Sequence, residues 1–527
     1  MLLKIILLVV FFAVMTGVGI ACRTSTSSVQ GFVLGGRNVG SWLTAFAFGT
    51  SYFSAVIFVG YAGQFGWRFG LASTWIGLGN ALLGSLLAWR VLGRRTRLMT
   101  QHLGSATMPD FFHRRFSSAA LKTAASVIIF IFLVPYTASL YNGLSRLFGM
   151  AFGIDYVWCV IGMAVLTGIY VLVGGYMATA VNDFIQGLIM LVGICAVVVA
   201  VLNGNGGFTS AIESLSFISS EAAPGLNGAF VSFFGPQPIA LLGVVLLTSL
   251  GTWGLPQMVG KFYAIRDEAA IRKGTVISTI FAFIVAGGCY FLGGFGRLYA
   301  DKIEYTAVGT PIYDSIVPSM LSTLPDLMIG VVIILVLSAS MSTLSSLVLT
   351  SGSTLTLDII VPASKGRMQE RSQLLCIRLL VIFFIAVSSV LAIVQAKSSV
   401  TFIAQLMGIS WGALAGAFLA PFLLGLYWKR TSPAAVWASF ALGVLIMCGC
   451  MFCTFTGRVF LSPFFTSPIN AGVLAMLAGL VVVPLVSLIC PIRADKRAEV
   501  DEMFSCYGHY VTVRATDALS DTVKLQP

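Results

Sequence analysis

The sequence predicts an all-α polytopic membrane protein of about thirteen transmembrane helices, and three observations carry that prediction. First, 58% of the 527 residues are hydrophobic, only 9% are charged, and the mean hydropathy is +0.96. Second, a helix crossing the hydrocarbon layer needs about 20 mostly apolar residues, and thirteen stretches of that kind take up most of the chain. Third, loops rich in Lys and Arg alternate with loops nearly free of them. Every backbone polar group must be satisfied within the bilayer, and these stretches are far longer than barrel strands, so they are helices.

Segment 1 spans about 1–22. It has the outline of a signal peptide, with Lys4 ahead of an apolar core, but that core runs on for too long, and an uncleaved helix is expected. Segments 2 to 6 follow at roughly 40–62, 71–92, 119–145, 153–174 and 180–203. Segments 7 to 11 lie at 238–262, 275–297, 326–358, 374–396 and 400–427, and segments 12 and 13 at 432–455 and 468–491.

The formal charge of +12 is a topology signal, because cytoplasmic loops of membrane proteins collect Lys and Arg. Basic residues cluster at Arg23 and Arg37, at Arg90 to Arg115, at Lys261 to Lys273, at Lys365 to Arg371, at Lys429 and Arg430, and at Arg493 to Arg497. The loop from Gly204 to Pro238 has no Lys or Arg. With thirteen spans the N-terminus lies outside and the C-terminus in the cytoplasm of a cell-membrane protein; Lys4, on the outside, runs against the rule. Nucleic acid is not expected as a partner, and the sequence points to no obligate protein partner.

Few groups in the chain offer chemistry inside the bilayer. The ten cysteines are scattered, and "MCGCMFC" lacks both a second ligand pair and a nearby His, so they are read as small apolar packing residues. His102, His113 and His509 lie in cytoplasmic segments, which excludes an intramembrane histidine relay. No catalytic constellation is found, and an enzyme is not expected. An ionisable group within a span marks function by default; Asp183 in segment 6 qualifies, although a helix N-terminal acid is its plain alternative. Asp358, closing segment 9, is read as interfacial.

"SASMSTLSSLVLTSGST", Ser338 to Thr354, carries ten hydroxyls in seventeen residues. Ser342, Ser345 and Ser346 share one helix face, with Thr343 at its edge. Hydroxyls in membrane helices commonly bond back one turn or pack helix on helix, but a band this dense also suits a hard cation such as sodium, which takes several oxygen ligands. The remaining oxygens would come from a broken helix. Segment 2 is interrupted at Gly49, Thr50, Ser51 and Ser54, and segment 7 at Gly251, Gly254 and Pro256. Paired interruptions in corresponding segments of two halves point to a transporter site. Segments 2–6 and 7–11 then form two five-helix units of opposite orientation.

The stretches "GGRNVGSWLTAFAFGTSYFSA", "GGYMATAVNDFIQG", "GTWGLPQMVGKFYAIRD", "SASMSTLSS" and "PFLLGLYWKRTSPAAVWASFALG" together resemble the sodium:solute symporter family of proline, pantothenate, monocarboxylate, sialic acid and sugar carriers. The resemblance implies a LeuT-like 5+5 inverted repeat: an extra helix and loop over 1–39, a first repeat over 40–203, and an extracellular loop over 204–237. A second repeat over 238–428, two helices over 429–491 and a cytoplasmic tail over 492–527 complete it. It implies a first sodium site on Thr50, Phe53, Ala339, Ser342 and Thr343, and in some members a second on Asp183, Ser345 and Ser346. Solute is expected between the broken helices, at Tyr52, Ser54, Thr252 and Trp253.

Proline carriers of this family have an aspartate where this chain has Tyr52, so a small organic anion or zwitterion is the broader expectation. The function implied is sodium-coupled symport of a small organic solute across the lipid bilayer by alternating access, with sodium co-transported. A proton-coupled carrier of the same fold and a non-transporting solute sensor are the alternatives.

Overall fold

A computed structural model describes residues 2–23, 28–307, 309–396, 403–457, 466–511 and 525–526. Nearly everything in them is helical, and the predicted segments fall largely on helix; Met1 of segment 1 and residues 400–402 at the start of segment 11 lie outside the described residues. Among the described residues ten helices are long and apolar enough to cross a membrane, or eleven with the bent pair Pro238–Gly254 and Pro256–Ala264 counted as one span, so the exact count of thirteen is not confirmed by helix length alone.

The difference arises at turns made by single glycines. Segments 5 and 6 run together as Tyr156–Gly204, broken only at Gly175 (φ 54°, ψ −150°), and segments 2 and 3 join in one helical run over Val56–His102 that turns at Gly70 (φ 62°). Both backbones lie in the left-handed region, where glycine carries no Cβ penalty. Space forbids a side chain as well: a Cβ on Gly70 would stand 2.1 Å from the Phe230 carbonyl oxygen.

Segment 2 is two pieces. Ser41–Tyr52 is α-helix, Phe53 is extended (φ −89°, ψ 116°), and helical structure resumes as a wide turn over Val56–Tyr61. Segment 7 breaks in the same way: Pro238–Leu250, a tight 3-10 turn over Gly251–Gly254, an extended Leu255, then Pro256–Ala264, with a bend of 47°. Pro256 lacks the N–H that would continue the ladder, and the residue before a proline is driven out of the helical region. Gly254 lets this break seat against segment 11, since a Cβ there would lie 2.9 Å from the Ala415 Cα.

Asp326–Leu355, the hydroxyl-rich segment 9, packs against segments 4, 5–6 and 10 and against Ser41–Tyr52. The N-terminal helix Leu2–Ala21 lies on Tyr156–Gly204 and reaches segment 9, where Lys4 pairs with Asp326 at 2.9 Å. That pair accounts for a lysine at this end of the helix.

Several basic residues counted above as loop charges are in fact buried: Arg37, Arg97, Arg115 and Lys261 are all 4% exposed or less. The three arginines donate to backbone carbonyls in loops and at a helix end. Arg97 Nε donates to Ile265 O at 2.6 Å, Arg37 Nη2 to Ser105 O at 2.6 Å, and Arg115 Nε to Gly425 O at 3.0 Å. A planar guanidinium can satisfy several carbonyls at once, so these side chains staple the basic loops into a packed layer.

Candidate functional site

Because the helix ends at Tyr52 and Phe53 is extended, the carbonyl of Thr50 loses the amide that would have met it one turn on. That oxygen and the Phe53 carbonyl turn toward segment 9. Thr343 Oγ1 lies 3.1 Å from Thr50 O, 3.3 Å from Phe53 O and 3.1 Å from Ala339 O. Ser342 Oγ lies 3.2 Å from Thr50 O and 3.2 Å from Ala339 O.

All five residues predicted for the first site are therefore brought together, as three carbonyl and two hydroxyl oxygens, and all five residues are buried. For a hard cation held at about 2.4 Å, neighbouring ligand oxygens in an octahedral frame stand roughly 3.4 Å apart. The observed separations of 3.1–3.3 Å are close to that spacing. The set carries no formal charge, which suits a monovalent ion in a low-dielectric interior.

One turn along segment 9 the geometry changes. Ser346 Oγ is 2.8 Å from Ser51 Oγ and accepts from Lys261 Nζ at 3.0 Å, while Lys261 Nζ stands 3.7 Å from Asp183 Oδ2 and 5.3 Å from the Tyr176 ring centroid. Asp183 is wholly buried. Its ionic partner is Lys261, which stands between it and Ser346. Ser345 donates back to Ser342 O at 2.9 Å and lies beside the Tyr170 phenol. Asp358 accepts from Thr107 at 2.7 Å and pairs with Lys122 at 3.2 Å, in a polar cluster with Asp110.

The residues expected to meet solute divide into two groups. Tyr52 and Ser54 face an interior cluster. The Tyr52 ring packs on Trp411 with centroids 5.5 Å apart, Trp411 packs edge-on to Tyr136 at 6.0 Å, and Thr248 and Ser54 lie beside the Tyr52 and Tyr136 phenols. The groups that meet here are all neutral. Thr252 and Trp253 turn away: Thr252 Oγ1 donates to Gly84 O at 3.2 Å and Trp253 Nε1 to Leu83 O at 3.0 Å, so both fasten the break of segment 7 to segment 3.

Trp411 and Tyr136 were not singled out from the sequence. Trp411 touches both breaks, since a Cβ on Gly251 would stand 3.4 Å from its ring. Its only sequence signal is a bulky aromatic in the small-residue run "GISWGALAG".

Two broken helices in a helical membrane bundle, one of them opening onto a buried oxygen cluster, are the architecture of a secondary transporter. The model of the Sodium:solute symporter family matches residues 32–443, and the chain belongs to that family of sodium-coupled carriers. It is 30% identical over 484 residues to the osmoregulated proline transporter OpuE of Bacillus subtilis, covering 91% of this chain and 94% of that one. It is 29% identical over 455 residues to the sodium/proline symporter of Staphylococcus aureus, covering 84% of each. Among solved structures, a Na+-coupled sialic acid symporter in its substrate-bound outward-open state superposes with a TM-score of 0.72 over 93% of this chain and 99% of that one, at 15% identity. That likeness places the chain in the LeuT-like fold.

Proposed function

We propose that this protein accumulates a small zwitterionic solute, with L-proline the first to test, by coupling its entry to the inward sodium gradient. The observation that carries the reading is the five-oxygen cluster of Thr50, Phe53, Ala339, Ser342 and Thr343 at the break of segment 2. Sodium bound there ties segment 2 to segment 9 and steadies the outward-facing state. Tyr52 and Ser54 sit directly beside the break, so bound sodium orders the solute pocket, and by linkage bound solute raises sodium affinity equally. Rocking of one helix bundle against the other then opens both sites to the cytoplasm.

The choice of solute rests on two supports. The named relatives carry proline, and the groups around Tyr52 and Trp411 are neutral, which favours a solute without net charge in a desolvated site. Tyr52 in place of the aspartate of proline carriers is the feature that a solute panel has to weigh. The orientation proposed is the one from the basic loops, with the N-terminus outside and the layer of Arg37, Arg97 and Arg115 facing the cytoplasm.

Proton coupling has one observation in its favour, the buried Asp183 and Lys261 pair beside the cluster. Uptake of labelled L-proline into proteoliposomes separates the two. Accumulation is expected with an inward sodium gradient, and equal uptake in potassium, or uptake driven by a pH gradient alone, would refute sodium coupling. A panel of labelled amino acids, carboxylates and sugars in the same vesicles identifies the solute.

A further inference from the structure

Given sodium coupling as read above, we propose that the Lys261 ammonium is a resident cation that fills the oxygen nest of Ser51, Ser346 and Asp183, and so limits coupling to one sodium ion per solute. The nest has the makings of a cation site. Ser51 and Ser346 bring their hydroxyl oxygens within 2.8 Å of each other, and the Asp183 carboxylate supplies a full negative charge with no exposure to solvent. Ser51 follows Thr50 in the chain and Ser346 lies one turn beyond Ser342, so the nest sits roughly 6 Å along the helix from the five-oxygen cluster.

The charge this nest calls for is already present. Lys261 Nζ bonds Ser346 Oγ at 3.0 Å, faces Asp183 at 3.7 Å and lies over the Tyr176 ring at 5.3 Å, with the residue 4% exposed. An ammonium and a sodium ion have the same charge and compete for the same oxygen lone pairs, so the two exclude each other from one nest. A lone ammonium or carboxylate is costly at this depth, and each holds the other ionised and in place.

Access explains why a tethered ion matters. A cavity of ≈ 660 Å3 among Arg37, Asp110, Arg114, Lys122, Asp358 and Glu370 opens on the basic side. A narrower one of ≈ 60 Å3 shares Val33, Leu34, Ala106 and Thr107 with it and ends at Tyr176, Lys261 and Ser346. A free ion in the nest would have a route out. Lys261 is fixed to Pro256–Ala264, the half of segment 7 beyond the break, and so travels with that half and never leaves. Its contacts join its own broken segment to segments 6 and 9, through Asp183 and Ser346, and Ser346 in turn meets Ser51 of the other broken segment. The link a second sodium ion would make between the halves is thereby permanent.

Counting bound sodium tests this on the purified full-length protein without knowledge of the solute. Equilibrium binding of radioactive sodium is expected to give one ion per wild-type molecule with a Hill coefficient near one. Lys261→Ala, which vacates the nest but keeps Asp183, is expected to bind close to two ions. Lys261→Met combined with Asp183→Asn, which removes both charges, is expected to return to one. Two ions on the wild type would overturn the proposal, whether or not the variants fold, and so would a folded Lys261→Ala that still binds one. Binding of no sodium at all would instead remove the coupling reading on which the proposal stands.

Discussion

Thr343→Ala is the sharpest test of the sodium site. The hydroxyl removed lies 3.1 Å from Thr50 O, 3.3 Å from Phe53 O and 3.1 Å from Ala339 O, so it is the one side-chain oxygen adjacent to all three carbonyls of the cluster. Without sodium its loss forfeits about 1 kcal/mol of neutral hydrogen bonding, and the fold should tolerate that. With sodium bound it is one of five oxygens on a charged ion, and contacts to charged groups are worth about 1.5–3 kcal/mol each. At tenfold per 1.4 kcal/mol, the sodium concentration for half-maximal uptake should rise roughly 10- to 150-fold. Sodium-titrated uptake of labelled L-proline in proteoliposomes reads this directly, and Thr343→Ser, which keeps the oxygen, should stay near wild type. Unchanged sodium dependence in both Thr343→Ala and Ser342→Ala, at normal levels of folded carrier, would refute the assignment.

Four further outcomes are expected. Asp183→Asn leaves the Lys261 ammonium buried without its counter-charge, so the melting temperature in detergent should fall sharply, by the equivalent of about 3–5 kcal/mol; an unchanged melting curve would show that the pair does not bear on folding. Trp411→Ala and Tyr52→Phe should raise the half-saturating solute concentration while leaving sodium binding in the absence of solute close to wild type, and a shift in sodium binding alone would move both residues out of the solute pocket. Gly254→Val places a side chain where a Cβ already meets Ala415 Cα at 2.9 Å; uptake should be lost with the protein still in the membrane, and full activity would mean that segments 7 and 11 do not need that approach. For orientation, a single cysteine replacing Leu226 in the loop free of Lys and Arg should react with an impermeant maleimide added to intact cells, and labelling only after lysis would reverse the topology.

The sequence carried most of the fold because the bilayer enforces it: apolar runs must be helices, and a glycine or proline in such a run must be compensated nearby. The breaks at Thr50–Ser54 and Gly251–Pro256 were legible for that reason, and they fall where the extended Phe53 and Leu255 lie. The boundaries of segments 2 and 3 and of segments 5 and 6 were read as gaps, and there Gly70 and Gly175 turn the chain within continuous helix, so that helix length alone does not return thirteen separate spans. The five-oxygen site was readable as a pattern of hydroxyls, but Trp411 and Tyr136 were not, since an aromatic in an apolar helix gives no sign of whether it faces lipid, core or solute.

Lys261 shows most clearly where the linear pattern misleads. Counted with Arg266, Arg272 and Lys273, it reads as part of a basic loop, because a charge at the end of an apolar run normally snorkels to the surface. The break of segment 7 changes what that position means. Beyond Leu255 the helix bends by 47°, and a lysine in the last turn of Pro256–Ala264 comes to rest against Ser346 and the Asp183 carboxylate instead of in solvent. Unwinding thus does two things at once. It frees carbonyl oxygens for a passing ion at Thr50 and Phe53, and it carries a fixed ammonium beside the place where that ion binds. A positive charge held one turn from the cluster would raise the free energy of any sodium there, were it not offset by Asp183. The acid, the lysine and the uncharged five-oxygen set are therefore one electrostatic unit, and the affinity of the sodium site should depend on the pair as a whole more than on either member alone.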